Sequence, residues 1–292
     1  MKSEPAQLTP FKFANNDVPI GAILIRAGRL TPADAKRILK KQADENLQFG
    51  AAGIKLGLIT EEDIQFALNR QFDYPCLSPQ NGTISHHVVA AFAGISPQVE
   101  ALRALRSQLM LRWFSSHPRH RTLAIISQNP GDGRSWMTAN LAVVLSQLGQ
   151  RTLVIDANMR QPKLHQWFGL DNRLGLAAVL SRRGGPQCIQ PVPDIRGLSV
   201  LPAGAQPPNP QELLARPAFA ALLKQSADVY DAVLIDTPPG AQFADGHMIS
   251  ARANGALLIA RQNVSTMNAI KSFGNSLHQA GVNIIGTVLN EF

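Results

Sequence analysis

Residues 122 to 138 read Thr-Leu-Ala-Ile-Ile-Ser-Gln-Asn-Pro-Gly-Asp-Gly-Arg-Ser-Trp-Met-Thr: a short apolar run, a glycine-rich loop and the start of a helix. Successive backbone N–H groups from Gly131 to Ser135 would converge on one concavity at the positive end of that helix, where a triphosphate can sit. The phosphate-binding pattern G-x-x-x-x-G-K-[ST] is met at Gly133 and Ser135 and broken twice, by Gln128 at its first glycine and by Arg134 at its lysine. Pro130, Gly131, Asp132, Gly133, Arg134, Ser135 and Trp136 form the expected nucleotide-binding set, with the Ser135 hydroxyl on Mg²⁺.

Working outward, two more apolar runs end in carboxylates: Arg151-Thr-Leu-Val-Ile-Asp156 and Asp231-Ala-Val-Leu-Ile-Asp236, the latter followed by Thr-Pro-Pro239. In an open parallel sheet the strand C-termini face the ligand crevice, so Asp156 and Asp236 should meet at the phosphate loop and hold a hydrated Mg²⁺ with Ser135. The bland alternative is three buried strands with polar ends. Further strand candidates lie at 198–202, 255–261 and 282–289, with helices between them, one of them opened by Asn209 as N-cap and Pro210 at its first position. Strand and helix alternate, which predicts an α/β domain with a mainly parallel sheet and helices on both faces.

The 292 residues suffice for such a domain of about 200 residues and one small domain besides. With 45% hydrophobic and 16% charged residues the composition is globular, and no apolar run reaches the roughly 20 residues that cross a bilayer. The start, Met-Lys-Ser-Glu-Pro, lacks an apolar signal core, and Cys76 and Cys188 lack any metal-site spacing, so a reducing cytoplasm is expected. A formal charge of +8 favours anionic partners: nucleotide, nucleic acid or an anionic membrane face.

The organisation expected is a mobile tail over 1–16, a helical two-repeat domain over 17–75, a linker over 76–95 and the α/β domain over 96–292. The repeat is specific: Gly21, Gly28, Thr31, Leu39 and Gln42 recur 29 positions later as Gly50, Gly57, Thr60, Leu68 and Gln71. Each copy reads as a short apolar helix, a glycine stop, a threonine N-cap and a second helix with acids in its first turn. A helix from Ser96 to Phe114 carries Glu100, Arg103 and Arg106 on roughly one face, and the basic stretch 112–121 reads as a surface turn.

These residues resemble the bacterial tyrosine kinases, a P-loop family related to the MinD and ParA ATPases. The carriers are Pro130-Gly-Asp-Gly-Arg-Ser135, Leu153-Val-Ile-Asp-Ala-Asn-Met-Arg160 followed by Pro162, and Val233-Leu-Ile-Asp-Thr-Pro-Pro239. Glu100, Arg103 and Arg106 are similar to the family's E-x-x-R-x-x-R oligomerisation motif, and the likeness covers about residues 94 to 292. It implies ATP and Mg²⁺ as cofactors, Arg134, Asp156 and Asp236 as catalytic residues, Ser135, Asp156 and Asp236 as metal ligands, and self-association. It also implies a membrane polysaccharide chain-length or copolymerase protein as partner, so the chain would be cytoplasmic and peripheral at the inner membrane through that partner. Stand-alone kinases of exopolysaccharide loci are the nearest likeness. The N-terminal repeat is similar to the small domain of secretion and pilus ATPases, which implies cyclic di-GMP as a ligand, although the leading Arg of each motif is here Pro19 and Gln48.

The chain departs from the kinase pattern where the chemistry is sensitive. The family's D-x-D becomes Asp156-Ala-Asn158, the lysine becomes Arg134, and the only tyrosines are Tyr74 and Tyr230, so phosphorylation of a tyrosine tail is not expected. Two functions compete: a cytoplasmic kinase-like ATPase that regulates exopolysaccharide chain length, polymerisation or export, and a nucleotide-switch adaptor that transfers no phosphate. A ParA-type DNA-positioning ATPase ranks third, because Asn129 stands where those proteins place a second lysine; no nucleic acid is expected.

Overall fold

The 29-residue repeat folds as two helix pairs, α1 (Ile20–Arg26) with α2 (Pro32–Glu45) and α3 (Phe49–Lys55) with α4 (Glu61–Gln71). The structure, a computed structural model, describes residues 18–71, 77, 82–92, 94 and 96–291. The expected tail over 1–16 and parts of the stretch 76–95 lie outside them. The described residues fall into two compact units, within Met1–Tyr74 and Pro75–Phe292.

In the first unit the repeated residues act alike in both copies. Gly28 (φ 70°) and Gly57 (φ 65°) take the left-handed conformation that ends α1 and α3, their N–H groups donating to Ile25 O and Ile54 O. Thr31 and Thr60 then cap the following helices, their Oγ1 atoms accepting from Asp34 N (3.1 Å) and Asp63 N (3.2 Å). Gly21 and Gly50 serve packing: a Cβ there would stand 2.9 Å from the Phe49 ring and 2.7 Å from Ile64 Cδ1. Leu24, Ile38, Ala52, Ile59 and Ala67 close a small core.

The second unit runs α5 (Val89–Phe92), α6 (Pro97–Leu109) with a π turn (Met110–Phe114), β1 (Thr122–Ile126), α7 (Arg134–Gln147), β2 (Thr152–Asp156), α8 (Leu164–Trp167) and α9 (Leu176–Leu180). It continues with β3 (Gln190–Pro191), β4 (Leu198–Leu201), α10 (Pro210–Ala215), α11 (Pro217–Val229), β5 (Ala232–Asp236), α12 (Asp245–Arg252), β6 (Ala256–Arg261), α13 (Met267–Gln279) and β7 (Ile284–Asn290). The sheet order is β3-β4-β2-β5-β1-β6-β7, parallel throughout except for the short edge strand β3. β1, β2 and β5 are buried at every position, as expected where helices cover both faces. Their side chains alternate between two cores: Leu123 and Ile125 join α6 and α7 on one face, Ala124 and Ile126 join the helices of the other.

Two expectations need correction. Part of the proposed linker packs onto the α/β core: Val88, Ala90 and Ala91 are buried. Polar side chains of α7 satisfy its backbone, with Asn140 accepting from Ala90 N (2.9 Å) and donating to His87 O (3.0 Å), and Gln147 donating to Ala90 O (2.9 Å). The stretch 112–121 is likewise no simple surface turn. Where the π turn widens the helix, Trp113 and Phe114 enter the core, and Trp113 Nε1 donates to Thr122 O (3.1 Å) while its ring stacks on His120. Elsewhere Pro210 opens α10 as expected, but the Asn209 side chain makes no cap bond and instead donates to Glu212 Oε2 (3.3 Å). Among the described residues, no helix is long and apolar enough to cross a membrane.

Candidate nucleotide-binding site

The strand order β2-β5-β1 sets the geometry. Asp236 pairs in register with Asp156 on one side and Ile125 on the other, so both carboxylates sit at the C-terminal edge beside the loop that follows β1. Gly131 (φ 79°) and Gly133 (φ 99°) let the loop turn tightly into α7. The segment after β5 braces it, with Gly240 N donating to Ser127 O and Ala241 N to Gln128 O, both at 2.9 Å.

Within the loop the side chains divide between the mouth and the interior. Ser135 faces the carboxylates and its Oγ donates to Asp236 Oδ2 at 2.5 Å. Pro130 and Gly131 are exposed at the rim, while Trp136 is half-buried against the core. Asp132 does not face the concavity: it is buried, its Oδ2 accepts from Asn129 N (2.9 Å), and its carbonyl accepts from Asn290 Nδ2 (3.0 Å). Arg134 is the larger departure, because it is 7% exposed and turned beneath the loop. Its Nε donates to Thr237 O (2.8 Å), and Nη1 donates to Asn129 O (2.7 Å) and to Ser127 Oγ. Burial works against its charge, which the carboxylates of Asp236 and Asp132 hold in place.

Asp156 and Asp236 are both fully buried. Burial first, and then the neighbouring Asp236 charge, push the Asp156 carboxyl well above its ordinary range, against N–H donation from Asn158 (3.2 Å) and Leu164 (3.3 Å). Burial pushes Asp236 up to about 6, opposed by the Ser135 hydroxyl and the Arg134 charge. Two carboxyls held this far from water bind protons tightly and release them to a cation.

Mg²⁺ fits this arrangement. Asp236 Oδ1 is buried without a hydrogen-bond partner, while its other oxygen and the Ser135 hydroxyl lie together at the mouth. Mg²⁺ takes one or two carboxylates and completes its shell with phosphate and water, so Asp236 and Ser135, backed by Asp156, suffice. Among the described residues no group of three His, Cys, Asp or Glu side chains forms a protein-only metal cage.

Asn158 does not stand in for a second carboxylate. It is buried, and its Oδ1 accepts from Gln161 N (3.3 Å), closing a turn after β2. Arg160 is held by the buried Asp245, with Nε donating to Oδ2 at 2.9 Å, and stacks on Phe243 at 4.0 Å. The sequence contained no local signal for the Arg160 partner or for the Thr237 carbonyl that holds Arg134; both follow from strand order. Tyr230 is half-buried against the core, in keeping with a structural role. On α6, Arg103 bonds Glu100 and donates to Gly94 O (2.6 Å), and Arg106 donates to Val144 O (2.9 Å).

A glycine-rich loop between the first buried strand and its helix, with carboxylates at two neighbouring strand ends, defines a P-loop nucleotide-binding protein. A family model described as "ParA: NUBPL iron-transfer P-loop NTPase" matches residues 119–291. The chain is 37% identical over 195 residues to the putative tyrosine-protein kinase EpsB of Ralstonia solanacearum, covering 66% of this chain and 26% of that protein. It is similar to the kinase domain of the Escherichia coli tyrosine kinase ETK, with 34% identity and a TM-score of 0.63 over 66% of this chain and 75% of that one. It is also similar to the septum site-determining protein MinD of Pyrococcus horikoshii, solved with Mg-ADP, at 26% identity and a TM-score of 0.51 over 58% of this chain and 70% of that one. The chain belongs to the ParA-type P-loop NTPases, within their bacterial tyrosine kinase branch. It spans about a quarter of the length of the curated relatives, 26% for each of the first three.

Proposed function

We propose that this chain binds ATP with Mg²⁺ at the loop 130–136 and acts as a tyrosine-kinase-like ATPase that regulates exopolysaccharide chain length, polymerisation or export. The observation that carries the reading is the orphaned Oδ1 of Asp236, a buried acceptor beside the Ser135 hydroxyl at the end of the loop. The relatives named as tyrosine-protein kinases support the activity, and a membrane polysaccharide copolymerase is the partner that fits it. Glu100, Arg103 and Arg106 would mediate self-association. No step is assigned to nucleic acid, and the chain would work in the cytoplasm against that membrane partner.

A second reading, a nucleotide-switch adaptor, is favoured by Asn158 and Arg134. Neither presents its side chain as the family pattern requires: Asn158 closes its own turn and Arg134 lies under the loop. Isothermal titration with Mg·ATP, followed by an anti-phosphotyrosine assay on an added tyrosine polymer, separates the two. The kinase reading expects binding and slow transfer that Asn158→Asp raises by about tenfold or more, since a lost electrostatic contact at a phosphoryl-transfer site costs one to three decades. Binding without transfer, in wild type and variant alike, establishes the adaptor.

The helical unit would add control by cyclic di-GMP. Its support is a cleft of about 310 Å³ lined by Val18, Ile23, Arg26, Phe66, Arg70 and Gln71, with cations beside an aromatic face. The same titration run with cyclic di-GMP tests it, and the absence of heat at high micromolar ligand removes it.

A further inference from the structure

The nucleotide site occupies the end of the sheet where β1, β2 and β5 finish; the opposite end, where they begin, carries exposed apolar side chains that the fold does not use. Helix α7 leads from β1 to the parallel β2 and so returns to that opposite end. Helix α6 reaches it too: Arg106 donates to Val144 O near the C-terminal end of α7 (2.9 Å), and Trp113 Nε1 donates to the carbonyl of Thr122, the first residue of β1 (3.1 Å). About one turn beyond the Arg106–Val144 contact stand Leu111 and Leu148, 78% and 48% exposed. Val229, which closes α11 just before β5, is 54% exposed at the same end.

Arginines are set among these apolar groups. Across the order β2-β5-β1, Arg151 and Arg121 flank Asp231: Arg151 grips the carboxylate through Nε (3.1 Å) and Nη2 (3.0 Å), and Arg121 Nη1 donates to the Asp231 carbonyl (3.2 Å). One carboxylate thus serves two guanidinium groups. Arg112 and Arg119 are exposed and make no ion pair among the described residues. The turn that carries them is braced, with His120 stacked on Trp113 at 3.9 Å, Ser116 Oγ 3.0 Å from His120 Nδ1, and Arg119 N donating to His117 Nδ1 (3.1 Å). The other acids of this end, Asp194 and Asp228, each stand within four residues of a cation, Arg196 and Lys224, so the excess charge is positive.

An anionic surface complements this charge, and the apolar groups decide which one. Single-stranded nucleic acid is met by aromatic rings that stack on bases, but Trp113 and Phe114 are buried here. Exposed leucine and valine beside arginines suit a bilayer, whose headgroups take the guanidinium groups and whose acyl boundary takes the apolar tips. We propose that this end of the α/β unit, centred on Leu111, Arg112 and Arg119, docks directly on the surface of an anionic lipid bilayer. This goes beyond the reading above, in which a partner protein holds the chain at the membrane, and it does not depend on nucleotide binding. Docked this way, the chain turns the mouth of the nucleotide site away from the lipid.

The test is co-sedimentation of the full chain, without any partner protein, with vesicles of phosphatidylcholine alone or containing about one-third phosphatidylglycerol. Wild type should pellet with the anionic vesicles and stay in solution with the neutral ones. Replacing both Arg112 and Arg119 by Ala should weaken partition by about thirtyfold, the worth of two charges at a lipid surface. Leu111→Ser should weaken it by about tenfold, through the lost apolar contact. Leu289→Ser is the control: Leu289 is 56% exposed near the end of β7, on the nucleotide side of the sheet, and its loss should leave partition unchanged. All these side chains are exposed, so the melting temperatures should agree. Wild type that ignores the anionic vesicles, or binds the neutral ones equally, overturns the proposal, as does an equal loss in Leu289→Ser. Loss in the arginine variant with none in Leu111→Ser marks a surface for polyanions in general and overturns the lipid assignment.

Discussion

Asp236 concentrates the energetics of the site at a single residue. Its carboxyl is buried, has one unpartnered oxygen and protonates near pH 6 in the folded chain, against about 3.9 when exposed. Between those values the folded state binds the extra proton, so the stability of the metal-free chain falls as pH rises from about 4 through about 6. The shift corresponds to about 2 to 3 kcal/mol at neutral pH. Asp236→Asn removes this loss, so without Mg²⁺ the variant should melt higher than wild type at pH 7 and level with it near pH 4. Mg²⁺ should raise the wild-type melting temperature increasingly above pH 6, since the ion takes the deprotonated form, and should leave the variant unmoved. Parallel pH–melting curves for the two chains would remove the assignment.

Helix α6 shows how one element divides a sequence motif into two roles. The spacing of Glu100, Arg103 and Arg106 on one face is visible in the sequence, but their partners are not. The structure sends Arg106 to the Val144 carbonyl of α7 and Arg103 to the Gly94 carbonyl, while Glu100 keeps a side chain 57% exposed. Arg106→Ala should therefore cost about 1 to 2 kcal/mol and lower the melting temperature by about 2 to 8 °C. Glu100→Ala should leave stability within about 0.5 kcal/mol and reduce self-association measured by sedimentation with ATP present. Equal melting losses in both variants would contradict this division. The repeat in the first unit is legible to the residue by contrast, because glycine stops and threonine caps act on neighbours within a few positions.

On the scale of the whole molecule, each unit closes its own core: seven buried residues headed by Leu24 and Ile38 in the first, and the two faces of the sheet in the second. Every described residue of the proposed nucleotide site lies in the second unit. A fragment spanning 75–292 should therefore fold, bind Mg·ATP within about threefold of the full chain and lose any cyclic di-GMP response. Calorimetry of the full chain should resolve a small transition that the fragment lacks. A fragment that is unfolded by circular dichroism would show that the α/β core depends on the residues before it.

The sequence by itself determined the alternation of strand and helix, the phosphate loop, the two carboxylates at strand ends and the helical repeat. These are local patterns, written in spacing over a few residues and in the apolar runs of buried parallel strands. Only the tertiary structure decided which acceptors take the Arg134 guanidinium, that Asp132 and Asn158 turn into their own loops, and that α5 packs on α7. The physical reason is the same in each case. A buried polar group must find a partner, and whether that partner lies two residues away or a hundred, as Thr237 does for Arg134, depends on the order in which strands pair in the sheet.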